Sequence, residues 1–125
     1  MEILLFFLFC TKHFIVDFLL QRPYQYLNKG IYGHPGGIVH ASLHVVGTIV
    51  VIYGFLLDNP WIVLGIAFGD GIIHYHIDWA KINTNKVFGW TCDKSPQFWY
   101  LMGFDQYLHY LTYILIVLGL TLFVL

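Results

Sequence analysis

Ionisable residues inside apolar segments constrain this chain more than any other feature of its sequence. Four segments rich in Leu, Ile, Val and Phe each contain two His or Asp residues at positions i and i+4. The pairs are His13/Asp17, His40/His44, His74/Asp78 and Asp105/His109. Residues four apart lie on one face of an α-helix, and an ionisable residue inside a membrane span usually faces a bundle interior. The pattern predicts four helices whose polar faces meet at a shared centre.

The composition is typical of an integral membrane protein. Of the 125 residues, 58% are hydrophobic and 10% are charged, whereas about 25% of the residues of a soluble protein are charged. Runs of about 20 apolar residues match a hydrocarbon core about 30 Å thick. We therefore expect residues 1–125 to form one domain, an all-α integral membrane four-helix bundle with spans at about 3–20, 38–57, 61–80 and 104–125.

The basic residues predict the orientation of these spans. Apart from Lys12 in the first span, they occur in the first and third connecting loops, which contain Arg22, Lys29, Lys81, Lys86 and Lys94. The positive-inside rule places such loops in the cytoplasm, so both termini should lie outside it. In this orientation all four pairs lie near the cytoplasmic interface. The sequence thus predicts a multi-pass protein of the cell (inner) membrane with a polar His/Asp core near its cytoplasmic side.

Other classes of protein fit the sequence poorly. A formal net charge of -1 without a basic run gives no footprint for nucleic acid. Cys10 lies in an apolar run and Cys92 in a loop expected in the cytoplasm, so both are expected to be reduced thiols. The first apolar run is interrupted by Lys12, which argues against a cleaved signal peptide.

The four pairs supply eight candidate metal ligands. Imidazole and carboxylate groups without thiolates suit Zn, Fe or Mn, and helical bundles hold two such ions between facing helices. We expect one or two divalent ions bound by His13, Asp17, His40, His44, His74, Asp78, Asp105 and His109. A hydrogen-bonded His/Asp network without metal, or a path for protons or ions, remains an alternative.

Further polar residues are expected around these ligands. Gln21 and Gln106 are predicted to hydrogen-bond to them, and Asp70 to orient His74 from deeper in the bundle or to act as a ligand itself. Lys81 is also expected beside the ligands, although a lysine at this position is more typical of an interfacial anchor than of a phosphate contact. The two remaining histidines, in a glycine-rich loop and on the opposite face of the third helix, are not expected to be ligands; they are His34 and His76.

The motifs also resemble those of a known family. They are His13-x3-Asp17-Phe18-x2-Gln21 with Asn28-Lys29, His40-Ala41-x2-His44, His74-x3-Asp78-x2-Lys81 and Asp105-Gln106-x2-His109. In this order they resemble the small bacterial and phage membrane proteins grouped as domain of unknown function 3307. The resemblance implies the membrane fold and these polar positions but no activity. More loosely, the pattern is similar to that of membrane-embedded metal-dependent hydrolases of lipid phosphoesters or amides.

These observations favour a metal-dependent hydrolase acting on a lipid or lipid-linked ester, amide or phosphoester. A metal lowers the pKa of its bound water, and whichever of Asp17 and Asp105 is not a ligand would accept the proton. No Ser or Cys is placed as a covalent nucleophile. The alternatives are a protein that binds or transports divalent metal or protons, and an accessory membrane subunit with a structural metal or polar network. Membrane lipids are the expected partners, with a second copy or another membrane protein left open.

Overall fold

The chain is almost entirely helical in a computed structural model that describes residues 1–56 and 59–124. Within these residues it forms five α-helices, one π-helical segment and no strand. In chain order they are α1 (Glu2–Phe14), the π-helical segment (Ile15–Leu19), α2 (Pro23–Tyr26), α3 (Pro35–Tyr53), α4 (Pro60–Phe88) and α5 (Pro96–Phe123). The predicted all-α class is confirmed. The predicted ends of the second and last spans, Leu57 and Leu125, lie outside the described residues.

The four long helices enclose a common core. Helix α3 packs against α1 and most extensively against α4, while α5 packs against α4 and α1. The short α2 packs against α3. Every α-helix except α1 has a proline in its first turn. At this position the missing N–H of proline costs no helical hydrogen bond.

The core is divided into an apolar half and a polar half. The apolar half surrounds the start of α1 and the end of α5, and it consists of Leu5, Phe9, Ile52, Leu56, Val63, Tyr113, Val117 and Leu120. The polar half surrounds the end of α1 and the start of α3, and it contains the buried His, Asp and Lys side chains. Every predicted ligand lies in the polar half.

The outer surface of the long helices is largely apolar. Large side chains on all four long helices are exposed, among them Ile3, Val50, Phe68 and Leu115. Two helices, α3 and α5, are long and apolar enough to cross a membrane by length and composition. An exposed apolar surface of this extent is unusual for a soluble monomer.

The third connection is shorter than predicted. Helix α4 continues past Ala80 to Phe88, and α5 begins at Pro96 instead of near Phe104. The predicted polar loop therefore shrinks to residues 89–95. The prediction failed because hydropathy reports the length of chain that suits a bilayer and not the length of the helix. Helix α4 ends where Gly89 adopts a φ of 66°, a left-handed conformation that glycine adopts without strain.

The connection between α1 and α3 folds over the polar end of the core. Gly30 lies against the side chain of Ile82 on α4, where a Cβ atom could not fit without displacement. The Asn83 side chain donates a hydrogen bond of 2.9 Å to the carbonyl oxygen of Gly30. These contacts bring Lys29, which follows α2, against the buried residues of α4.

Candidate metal centre

All eight predicted ligands meet in the polar half of the core. Asp17 is 8% exposed, and the other seven are at most 2% exposed. They come from α1 with its π-helical continuation, α3, α4 and α5, two from each. Burial of this many ionisable groups is costly unless each finds a partner of opposite charge, a hydrogen bond or an ion.

The π-helical segment positions Asp17. The amide N–H of Leu20 donates to the carbonyl of Ile15, five residues back, at 2.9 Å. The side chain of Gln21 donates to the backbone carbonyl of Asp17 at 2.8 Å. Gln21, predicted to hydrogen-bond to the ligands, thus reaches the backbone of Asp17 and stabilises the end of the segment. Single π-helical turns occur frequently at functional sites.

Four imidazoles surround the Asp17 carboxylate. The Nε2 atom of His13 lies 3.2 Å from Oδ2. The Nε2 atoms of His44 and His40 lie 2.8 and 3.2 Å from Oδ1, and that of His74 lies 3.5 Å from it. Asp17 is therefore the carboxylate of the centre whose neighbours are histidines and not lysines.

Two of these imidazole nitrogens also form a nearly equilateral triangle with an oxygen of Asp78. The Nε2 atoms of His40 and His74 are 3.2 Å apart, and each lies 3.2 or 3.3 Å from Oδ2 of Asp78. Ligand atoms about 2.0–2.1 Å from a tetrahedral ion are separated by about 3.3 Å. Two facing Nε2 atoms cannot both carry a proton. The spacing therefore suits three ligands around one ion as well as it suits hydrogen bonds.

A second group of buried atoms lacks hydrogen-bond partners among the described residues. These atoms are Oδ1 of Asp78, Oδ1 of Asp105 and Nε2 of His109. His109 Nε2 lies 3.6 Å from the Asp78 oxygen and 3.4 Å from the Asp105 oxygen. All three fall within the distances expected for ligands of one ion. The same distances also fit His109 as the ion-pair partner of both carboxylates, so this group can hold a cation without requiring one.

Three lysines neutralise carboxylates in and beside the centre. Lys29 Nζ lies 2.8 Å from Asp78, and Lys81 Nζ lies 3.0 Å from Asp105. Lys29 was not identified as a site residue from the sequence, although it belongs to the Asn28-Lys29 motif. Lys81 lies beside two of the candidate ligands, Asp105 and Asp78, and its side chain is 12% exposed.

The third lysine lies behind the centre. Lys12 Nζ is 2.6 Å from Asp70 Oδ2 and 3.3 Å from Nδ1 of His44. Asp70 also accepts a hydrogen bond from Thr48 at 2.5 Å. The predicted contact between Asp70 and His74 is replaced by these partners, so Asp70 reaches the centre through Lys12 and His44. The four carboxylates and three ammonium groups leave a charge of about -1 when the histidines are neutral.

Gln106 and Tyr113 complete the surroundings of His13. The Oε1 atom of Gln106 lies 3.0 Å from Nε2 of His13. The amide nitrogen of Gln106 donates a hydrogen bond of 3.0 Å to Asp105. Gln106 thus contacts two candidate ligands. The Tyr113 hydroxyl lies 2.9 Å from His13 Nδ1. No motif in the sequence singles out Tyr113, which lies one helical turn after His109 in an apolar run.

Two histidines have other partners. Nδ1 of His34 accepts a hydrogen bond from the Gly36 amide at the start of α3, at 3.0 Å. Nε2 of His76 lies 3.1 Å from the hydroxyl of Tyr32 on the exposed face of α4. Neither belongs to the groups that could hold an ion.

Comparison with known proteins gives one match. The model of a family described as protein of unknown function (DUF3307) matches residues 4–125. This is the family that the motifs resemble, and the match covers the segments that supply all eight ligands. No curated protein and no solved structure matches the chain.

Proposed function

The chain belongs to the DUF3307 family of unknown function, and from its own residues we propose that it is an integral membrane metal-binding protein. The proposed activity is metal-dependent hydrolysis of a lipid or lipid-linked ester, amide or phosphoester. The observation that carries the metal proposal is the pair of buried candidate-ligand groups that share His74; they are His13, Asp17, His44 and His74, and His40, His74 and Asp78.

The membrane assignment is supported by the distribution of polar and apolar side chains. Ionisable side chains are buried, whereas Leu, Ile, Val and Phe side chains cover the outside of the long helices. This distribution is stable where the surroundings are hydrocarbon. We propose a four-helix bundle with spans at about 3–20, 38–57, 61–80 and 104–125 in the cell (inner) membrane. Both termini would lie outside the cytoplasm, because five of the six basic residues lie in or next to the first and third connections; they are Arg22, Lys29, Lys81, Lys86 and Lys94.

The charge of the centre bears on how many ions it would hold. One divalent ion would change the charge of about -1 to about +1, and two would give about +3. One bound ion therefore leaves the smallest net charge to be neutralised, whereas two bound ions would need an additional anion. Zn, Fe and Mn all suit imidazole and carboxylate ligands.

Hydrolysis would use the carboxylate that lines a cleft open to the outside of the bundle. When bound, a divalent ion supplies a Lewis acid and lowers the pKa of water. Asp17 is enclosed by four imidazoles, whereas Asp105 lines a cleft between α4 and α5. Asp105 is thus the better placed of the two predicted bases to accept a proton from a water molecule. The ammonium group of Lys81, 3.0 Å away, would favour an anionic substrate group beside it.

A second candidate function is an accessory subunit with a metal-free polar network. It is favoured by the 2.8 Å distance between His44 and Asp17, which suits a hydrogen bond, and by the lysines that already neutralise Asp78 and Asp105. Transport is less compatible with the fold. Among the described residues, no buried Asp, Glu or His lies on α1 before His13, on α3 after His44, on α4 before Asp70 or on α5 after His109.

Metal content and turnover test the proposal in sequence. Purified full-length protein should contain at least one equivalent of Zn, Fe or Mn by elemental analysis. In vesicles of phosphatidylethanolamine and phosphatidylglycerol, product release detected by mass spectrometry should stop with a chelator and resume when metal is restored. Asp105→Asn should reduce turnover about 10²–10⁴-fold, the usual contribution of a general base. Metal-free protein with full stability would support the network function instead.

A further inference from the structure

A cleft between α4 and α5 connects the outer surface with the centre. It has a volume of about 350 Å³ and is lined mainly by apolar side chains, including Ile77, Ala80, Leu101, Phe104 and Leu108. Lys81 and Asp105 also line it. Ala80 and Phe104 are exposed, so the cleft opens on the side of the bundle. A group entering from the side of the bundle would reach the centre next to Asp105.

Lys81 has unused capacity to bind an anion. An ammonium group has three N–H donors. In the structure Lys81 Nζ makes one contact of hydrogen-bond length, 3.0 Å to Asp105, and lies 3.8 Å from Asp78. Its side chain is more exposed than that of Asp105, 12% against 1%. A phosphate oxygen at the inner end of the cleft could therefore accept a charge-assisted hydrogen bond from Lys81 without breaking the existing ion pair.

We infer that this cleft binds an anionic phospholipid, with an acyl chain between α4 and α5 and the phosphate group on Lys81. The inference rests on the proposed function, for which it names the substrate class. Charge complementarity supports it, since a divalent ion would leave the centre positive and an anionic headgroup would offset that charge. A cleft between α3 and α4, lined by Ser42 and Phe68, contains no lysine or arginine, and it provides a matched control surface.

Lipid binding can be measured without relying on turnover. Full-length protein in detergent would be titrated with dioleoyl phosphatidic acid or dioleoyl phosphatidylcholine, and bound lipid counted by native mass spectrometry, with and without a chelator. We expect at least about tenfold preference for phosphatidic acid, because its headgroup has a net negative charge, whereas the choline group of phosphatidylcholine neutralises the phosphate and adds bulk beside it. Lys81→Gln should abolish the preference. Ala80→Phe should weaken binding of both lipids about tenfold by filling the cleft.

Ser42→Phe is the matched control, since it places the same bulky side chain on the exposed face of α3 in the other cleft. It should leave both affinities unchanged. Equal affinity of the wild type for the two lipids would overturn the inference, and so would an equal loss of lipid affinity in Ser42→Phe and Ala80→Phe. Both tests can be made even if the Lys81→Gln variant does not fold. Selective lipid binding by protein that never contains metal would refute the proposed hydrolase alone. Metal-loaded protein without lipid preference would refute the inference alone.

Discussion

Removal of His74 is the most informative single perturbation of the centre. Its imidazole lies between those of two other helices, with ring centroids 3.4 Å from His44 and 4.1 Å from His109. Its Nε2 atom faces both Asp17 and Asp78. His74→Ala thus removes one candidate ligand from two overlapping groups at once. Asp78 keeps Lys29 as an ion-pair partner in the variant, which favours recovery of folded protein.

The expected effect follows from linkage between metal binding and folding. An ion that binds only the folded protein stabilises it by about 2.7 kcal/mol when its free concentration is about 100 times Kd. Loss of a ligand should weaken binding at least as much as loss of an outer hydrogen-bond partner, which costs about 10–100-fold. A 100-fold loss at the same metal concentration leaves a stabilisation of about 0.4 kcal/mol. The stabilisation that a chelator removes should therefore fall by about 2.3 kcal/mol in His74→Ala.

The assay is denaturant unfolding of the purified protein in detergent, with and without a chelator, together with elemental analysis. His76→Ala serves as the control, because His76 lies two residues away on α4 with an exposed side chain near Tyr32. It should respond to chelation like the wild type. A chelator effect in His74→Ala as large as in the wild type would refute the assignment of His74 as a ligand. No chelator effect in the wild type would refute the metal centre itself.

Three further predictions concern packing, charge and orientation. Gly47→Ala should destabilise the protein by about 1–3 kcal/mol, the usual cost of overpacking, because its Cβ would lie 2.6 Å from Cγ of the buried Lys12. Gly65→Ala is the control, since the space around Gly65 is open. Equal unfolding free energies in the two variants would contradict the packing argument. Lys29→Met should cost about 3–5 kcal/mol by leaving Asp78 without its closest ion-pair partner, which equilibrium unfolding would measure; a cost below about 1 kcal/mol would mean that the pair is solvated. A reporter enzyme fused to the C-terminus should be active only if it works outside the cytoplasm, and cytoplasmic activity would reverse the proposed orientation.

The sequence predicts the meeting of the eight ligands because helical periodicity decides which residues share a face. His40 and His44 must point the same way on any regular helix, and burial of that face brings them to the other pairs. The same reasoning does not identify the partners of lysines. Lys12 in an apolar helix can extend to an interface or pair with a buried carboxylate. Only the packing of α3 against both α1 and α4 decides for the ion pair with Asp70.

The helical periodicity of the sequence does not predict backbone irregularity or the geometry of the loops. The π-helical segment at Ile15–Leu19 has no turn residue or proline that would reveal it in the sequence. Lys29 reaches Asp78 through the fold of the 20–34 connection, which depends on contacts with Ile82 and Asn83 on α4. Such contacts join residues about fifty positions apart, so local patterns carry no information about them.

The division of polar partners among the helices bears on the order in which the chain assembles. Within the α3–α4 pair alone, His40 already meets His74 and Asp78. The carboxylates of the outer helices depend on that pair: Asp17 finds imidazoles on α3 and α4, and Asp105 finds Lys81 on α4. A membrane-inserted α1 or α5 that has not docked would expose an uncompensated carboxylate to lipid. In the proposed membrane arrangement, the α3–α4 hairpin would therefore be the template for assembly, and an undocked outer helix would be the defect open to membrane quality control.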